Sequence, residues 1–216
     1  MSTDAVDQRQ TASMARPFPE GGSMLRLAYR ELNIAANGNA EQVRALGPLN
    51  MLPRPWDPPT CRHPELRQQL WEWLEEVVNW VNREYVWDVA GIIPSCWPEH
   101  PHLVHEIAAL ADQRRRAGLA LNSDAMEEWH RYALPAFVDR MRNRAKDHCE
   151  QGHQGWPARS RFTRQVSDQS LSDREQIYVA DVSCIAHRRD AESVAEETRP
   201  RLASVNLDTG EVSEDP

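Results

Sequence analysis

The amino-acid sequence predicts an all-α protein: a compact bundle of three to four helices joined by Pro- and Trp-rich turns. Disordered flanks and a small α/β C-terminal segment are expected around it. Three observations carry this. Apolar residues recur every three or four positions over residues 64–86, 101–117 and 123–149, the period of a helix with one buried face. Pro64 and Pro101 stand at the start of two of these stretches, where a missing N–H costs a helix nothing. All eight Trp lie between Trp56 and Trp156, with seven of the eight His and three of the four Cys. Trp is the largest side chain to bury, so its clustering places the folded part.

Along the chain, residues 1–22 are polar with scattered Pro and Gly and are expected to be a disordered tail. Residues 23–55 hold two short helices and a Pro-rich approach. Ser23 is a candidate cap for the first, Asn37-Gly38 its stop, and the second spans residues 39–46. Residues 56–156 form the Trp-rich helical domain. Its strongest helix starts at Pro64, with Leu66, Leu70, Trp73, Val77 and Trp80 on one stripe. Residues 87–101 carry three prolines, Pro101 included, and a glycine, so they read as a packed turn. The next helix opens at Pro101, and Gly118 is expected to end it. The last begins near Ser123, and its stripe of Met126, Trp129 or His130, Ala133, Phe137 and Met141 passes straight through Pro135. Pro135 therefore either kinks one helix or opens another on the same face.

Beyond this domain, residues 157–174 read as a polar linker. Tyr178, Ala180, Val182, Cys184 and Ala186 alternate as a half-buried strand does. Residues 190–199 read as a short acidic helix. Val205, Leu207, the turn Asp208-Thr209-Gly210 and Val212 read as a hairpin. Together these make a strand–helix–hairpin segment over 175–212, with residues 213–216 as a tail. One Asp-Thr-Gly copy, followed at once by Glu211, is a turn and not half of an aspartic-protease dyad.

Composition narrows the function. The chain carries a net charge of −8, divided as +1 over residues 1–55, −5 over 56–150, +2 over 151–174 and −6 over 175–216. An acidic domain repels nucleic acid unless it presents a basic face. The candidates for such a face are Arg114, Arg115 and Arg116, and the strip Arg159, Arg161 and Arg164. No run of about 18 apolar residues suggests a membrane span, and the first residues lack the apolar core of a secretory signal. A cytoplasmic setting follows as the expectation, in which the four Cys are free thiols or metal ligands.

Two Cys-x-x-x-His pairs, Cys96/His100 and Cys149/His153, are the candidate metal ligands. Zinc favours thiolate and imidazole in tetrahedral sets. The spacing is not a standard one, and the alternative makes each pair a buried Cys beside a helix-capping His. Cys61, His63, His102 and His105 are spare candidates. A metal-dependent enzyme would instead draw on His100, His102, His105, Glu127 and His130. Glu127/His130 is a Glu-x-x-His pair well inside a helix, as di-iron bundles require. Walker A, G-x-G-x-x-G, G-x-S-x-G and H-E-x-x-H motifs do not occur. Trp71, Trp87, Trp97 and Trp156 fall off the buried stripe or in turns. They either line a groove for a peptide or bases, or clamp the Pro-rich turns onto the bundle.

The residues Trp71-Glu72-Trp73-Leu74, Val86-Trp87, Cys96-Trp97-Pro98-Glu99-His100-Pro101, Glu128-Trp129-His130 and Cys149 resemble an uncharacterised Trp-rich family of actinobacteria. That family has a domain of unknown function and occurs mostly on plasmids, integrative elements and phages. The resemblance covers residues 56–156. It implies a mobile-element setting and supplies no catalytic residues. The function expected is a non-enzymatic interaction or accessory module, with another protein as its partner.

Overall fold

A helix of 21 residues, the longest in the first of two units, organises the chain's fold in the computed structural model, which describes residues 15–145, 149, 152–197, 204–205 and 212–213. The chain divides into two units, Met1–Gln154 and Gly155–Pro216. In the first unit, α1 (Ser23–Asn37), α2 (Ala40–Ala45), α3 (Pro64–Glu84), α4 (Pro101–Leu119), α5 (Asp124–Glu128) and α6 (Leu134–Ala145) follow in order. Short 3-10 turns at Leu49–Met51, Pro58–Thr60, Val89–Gly91 and Trp97–Glu99 link them. The fold is all-α. Among the described residues the first unit alone has more helices than the three to four expected.

Helix α3 starts at Pro64 and buries Leu66, Leu70, Trp73, Leu74, Val77, Val78, Trp80 and Val81. The stripe read from the sequence is thus the buried face. Helix α4 lays Leu103, Val104, Ile107, Ala108, Leu110 and Ala111 into the same core. It continues past Gly118 to Leu119, so Gly118 is not its stop. Helix α1 adds Leu25 and Ala28. Its N-cap is Gly22, not Ser23, and the cap is tertiary: Gln69 Oε1 on α3 accepts from Met24 N at 2.8 Å. A Cβ on Gly22 would stand 2.3 Å from that oxygen, so a larger residue there would push the Gln69 carboxamide out of its capping position.

Of the two alternatives at Pro135 the second holds, with a π-helical join: α6 opens at Leu134 with Pro135 in its first turn. Residues Trp129–Ala133 form a π-helical turn between α5 and α6. Leu134 N–H bonds Trp129 O, five residues back. The wider turn moves the backbone off the Arg131 carbonyl, with which the Pro135 ring would clash in α register. It keeps Trp129, Leu134, Phe137 and Met141 all buried.

The disordered tail expected over residues 1–22 is corrected for the part described. Residues 15–22 lie packed on α3 and α4. Trp73 Nε1 donates to Pro19 O and Trp80 Nε1 to Arg16 O, both at 3.0 Å. Phe18 meets both indoles edge-on, at 6.2 and 5.1 Å. These aromatic contacts form because α3 places the two Trp seven residues apart on one face. Residues 1–14 lie outside the described residues.

Among the described residues one charged side chain is buried, Asp112 on α4. Arg115 NH2 pairs with it at 2.9 Å, and the same guanidinium stacks 3.5 Å from the Tyr29 ring centre. Burial, with Asp112 close by, pushes the Tyr29 hydroxyl up, well out of its ordinary range. Arg115→Ala leaves Asp112 buried without its partner, and is expected to cost about 2 kcal/mol. Urea unfolding measures this. A loss under about 0.5 kcal/mol, the scale of an ordinary surface change, would mean the pair is not desolvated as the structure has it.

The second unit holds α7 (Arg159–Gln165) and α8 (Asp168–Glu197). This corrects two expectations. The polar linker of 157–174 is mostly helical, and the strand over residues 178–186 is the middle of α8. The acidic stretch from residue 190 continues that helix to Glu197, the remainder lying outside the described residues. The reason is a run from residue 158 to 199 without Gly or Pro. Beyond the turn at Val166 and Ser167 that separates α7 from α8, nothing breaks the helix, and Ile177, Val179 and Ile185 spoil the alternation. Ser204–Val205 (β1) and Val212–Ser213 (β2) pair antiparallel, Val205 opposite Val212. The Asp208-Thr209-Gly210 turn and residues 214–216 lie outside the described residues. Among the described residues, no helix is long and apolar enough to cross a membrane.

Candidate metal centre

The turn before α4 owes its place to α3. Asn82 reaches across with both ends of its amide, accepting from Ile93 N at 2.9 Å and donating to Ile93 O at 3.1 Å. Trp97 is 2% exposed. Its indole N–H donates to Glu75 Oε2 at 3.1 Å, and its ring lies 5.7 Å from Trp71. Ile93 and Trp97 thus fasten both ends of residues 93–97. Cys96 then sits just before the 3-10 turn, and His100 occupies the N-cap position of α4.

Cys149 and His153 come to this point from beyond α6. The ligand atoms of Cys96, His100, Cys149 and His153 all lie within 4.8 Å of one another. Cys96 Sγ is 3.3 Å and Cys149 Sγ 3.4 Å from His100 Nε2. The His100 and His153 rings are 5.0 Å apart. A tetrahedral zinc with Zn–S of about 2.3 Å and Zn–N of about 2.0–2.1 Å separates its S and N ligands by about 3.5 Å. The donor set and its spacing fit such an ion. Glu99 Oε2 lies 3.4 Å from His153 Nε2, a carboxylate beside a candidate histidine ligand, as ligating histidines commonly have. Nothing in the spacing of the sequence pointed Glu99 to His153.

Burial raises the Cys96 thiol above its ordinary value, and the neighbouring Cys149 adds to this. Burial lowers His100, with His153 and His102 adding repulsion. Burial also lowers His102, followed by Arg144. The shift of His100 favours the neutral imidazole, the form that binds metal. The shift of Cys96 favours its thiol until a cation offsets the charge.

The remaining candidates lie elsewhere. Cys61 is fully buried in the core, and burial raises its thiol. His63 occupies the N-cap position of α3. Glu127 pairs with Arg131 at 3.3 Å. His130 Nε2 meets the Tyr85 hydroxyl at 3.2 Å. His105 lines a cleft of about 740 Å³ between α4 and the α5–α6 segment, away from all four Cys/His ligands. The structure therefore does not gather His102, His105, Glu127 and His130 into one site. Among the described residues, Cys96, His100, Cys149 and His153 are the group of three or more such side chains that comes together.

The four Trp singled out do not form one groove. Trp97 is buried and Trp71 half-covers it, so this pair clamps the turn. Trp87 is fully exposed. Trp156 belongs to the second unit, where it packs 5.1 Å from Phe162. The basic candidates divide in the same way. Arg114 lies 5.3–5.6 Å over Phe18, Trp80 and Trp129 and Arg115 is held by Asp112, so of the three only Arg116 is exposed. Arg159, Arg161 and Arg164 are exposed on α7.

Fold and site define a helical module in which two thiols and two imidazoles close on a common point. Comparison with protein-family models, with curated proteins and with solved structures finds no match.

Proposed function

We propose that the chain is a zinc-stapled helical module that works by binding another protein and is not itself a catalyst. The observation that carries this is the four-ligand set. Two soft thiolates with two imidazoles suit zinc above the commoner hard cations. Four protein ligands fill a tetrahedral ion's coordination, leaving no open position for water or substrate, which is the pattern of structural zinc and not of catalytic zinc. The ion would tie the turn before α4 to the segment after α6, two places 49 residues apart at Cys149 and His100. The resemblance of residues 56–156 to a mobile-element family supports an accessory role in such an element. Thiols used as ligands suit a reducing, cytoplasmic setting.

Elemental analysis of the purified full chain, with melting before and after chelation, tests the metal. The expected result is about one zinc per chain and a lower melting temperature once it is removed. Stoichiometric iron or manganese would favour a metal-dependent enzyme, and a chain without metal whose melting ignores the chelator would remove the staple.

A further inference from the structure

The segment Arg16-Pro17-Phe18-Pro19 is held as a bound peptide is held. Pro17 and Pro19 set their own φ and push Arg16 and Phe18 toward extended backbone. Its backbone groups bond to side chains of α3. Two indole N–H groups donate to Arg16 O and Pro19 O at 3.0 Å, and Glu84 Oε2 accepts from Arg16 N at 3.3 Å. Phe18 fills a slot between Trp73, Trp80 and the Arg114 guanidinium. Arg114 Nε is buried there with no hydrogen-bond partner among the described residues. Arg16 and Pro17 remain exposed, so the slot grips one ring and two carbonyls and little else. Aromatic slots with an indole donor suit extended Pro-containing segments, whose ordering cost is low.

We infer that this slot is a recognition site for an extended Pro-aromatic-Pro segment of a partner protein, with the chain's own Phe18 segment as its resident occupant. The inference deepens the interaction-module reading by naming a partner class, and it does not depend on the metal. A tethered segment competes at high effective concentration, so a partner binds only to the fraction of chains whose slot is open.

The test uses the full, metal-loaded chain and a fluorescent peptide of residues 15–21, Ala-Arg-Pro-Phe-Pro-Glu-Gly. Phe18→Ala vacates the slot. The peptide is expected to bind Phe18→Ala about tenfold or more tighter than the parent, because the resident competitor is gone. Adding Trp80→Phe, which keeps a ring but loses the indole donor, is expected to weaken peptide binding about fivefold. Should Phe18→Ala melt below the assay temperature, Phe18→Leu carries the same comparison with an apolar group kept in the slot. No peptide binding by a folded variant, or equal binding to variant and parent, overturns the inference. So does a parent dimer that Phe18→Ala dissolves, which would give the slot to a second copy of the chain. Loss of peptide binding with metal content and melting intact would remove the peptide site alone and leave the stapled module standing.

Discussion

Cys149→Ala is expected to release the metal and lower the melting temperature of the first unit by about 10 °C. Cys149 approaches His100 Nε2 at 3.4 Å, and the other described tie between its segment and the turn that carries Cys96 runs through His153, itself one of the four ligands. Losing one thiolate from a four-ligand set leaves an open, weak site. With free zinc a thousandfold above Kd, linkage contributes about 4 kcal/mol, and about 2–4 °C accompanies each kcal/mol in a chain of this size. The first unit has its own core of Leu, Val and Trp side chains, so it is expected to stay folded without metal, unlike a zinc finger. Cys96→Ala should behave as Cys149→Ala does. Cys61→Ala is the contrasting case, because Cys61 is a fully buried core thiol outside the group. It is expected to lose stability but keep its zinc. Metal content by elemental analysis and melting by circular dichroism separate the two. Zinc retained by both Cys96→Ala and Cys149→Ala would sink the assignment of the ligands.

Trp129→Ala is expected to cost about 4 kcal/mol, in the range for removing a buried aromatic. Trp129 is 2% exposed and donates its indole N–H to Leu110 O at 3.3 Å. Its ring meets Trp80 at 6.2 Å, Tyr85 at 5.3 Å and the Arg114 guanidinium at 5.6 Å. It therefore joins α3, α4 and the π-helical turn at one point. Trp129→Phe keeps most of the apolar area and is expected to cost less. Urea denaturation of both variants decides it: if Trp129→Ala lost under about 1 kcal/mol, the site would collapse freely, and the ring would not be the joint between these helices. Because Trp129 and Arg114 touch, their substitutions should not add.

The helices of the first unit were legible because each has a local signal. Pro64 and Pro101 open α3 and α4, Asn39 and Gln42 make the capping box of α2, and the apolar stripe of α3 is its buried face. The two Cys-x-x-x-His pairs were legible as ligand types. Their convergence was not, since a spacing of 49 residues between His100 and Cys149 carries no period. Among the Trp, position on the stripe identified Trp73 and Trp80 as core, whereas Trp97 stood open between groove and clamp, and its burial against Trp71 and Glu75 makes it a clamp. The misreading of residues 178–186 had a local remedy, because the chain from 168 to 197 holds no Gly or Pro and helix needs only its own backbone to satisfy its hydrogen bonds.

The sequence by itself determined where α3 and α4 begin, which face of α3 is apolar, and which residue types could ligate a metal. These follow from backbone chemistry and from periods of three to four residues. Only the tertiary structure decided that Gln69 caps α1, that Phe18 lies under Arg114, that Trp129–Ala133 takes π register, and that Cys96, His100, Cys149 and His153 meet. Each of these depends on a contact between residues far apart in the chain or on relief of a clash inside a packed helix. Such contacts are set by the packing of whole helices, which no local run of residues encodes.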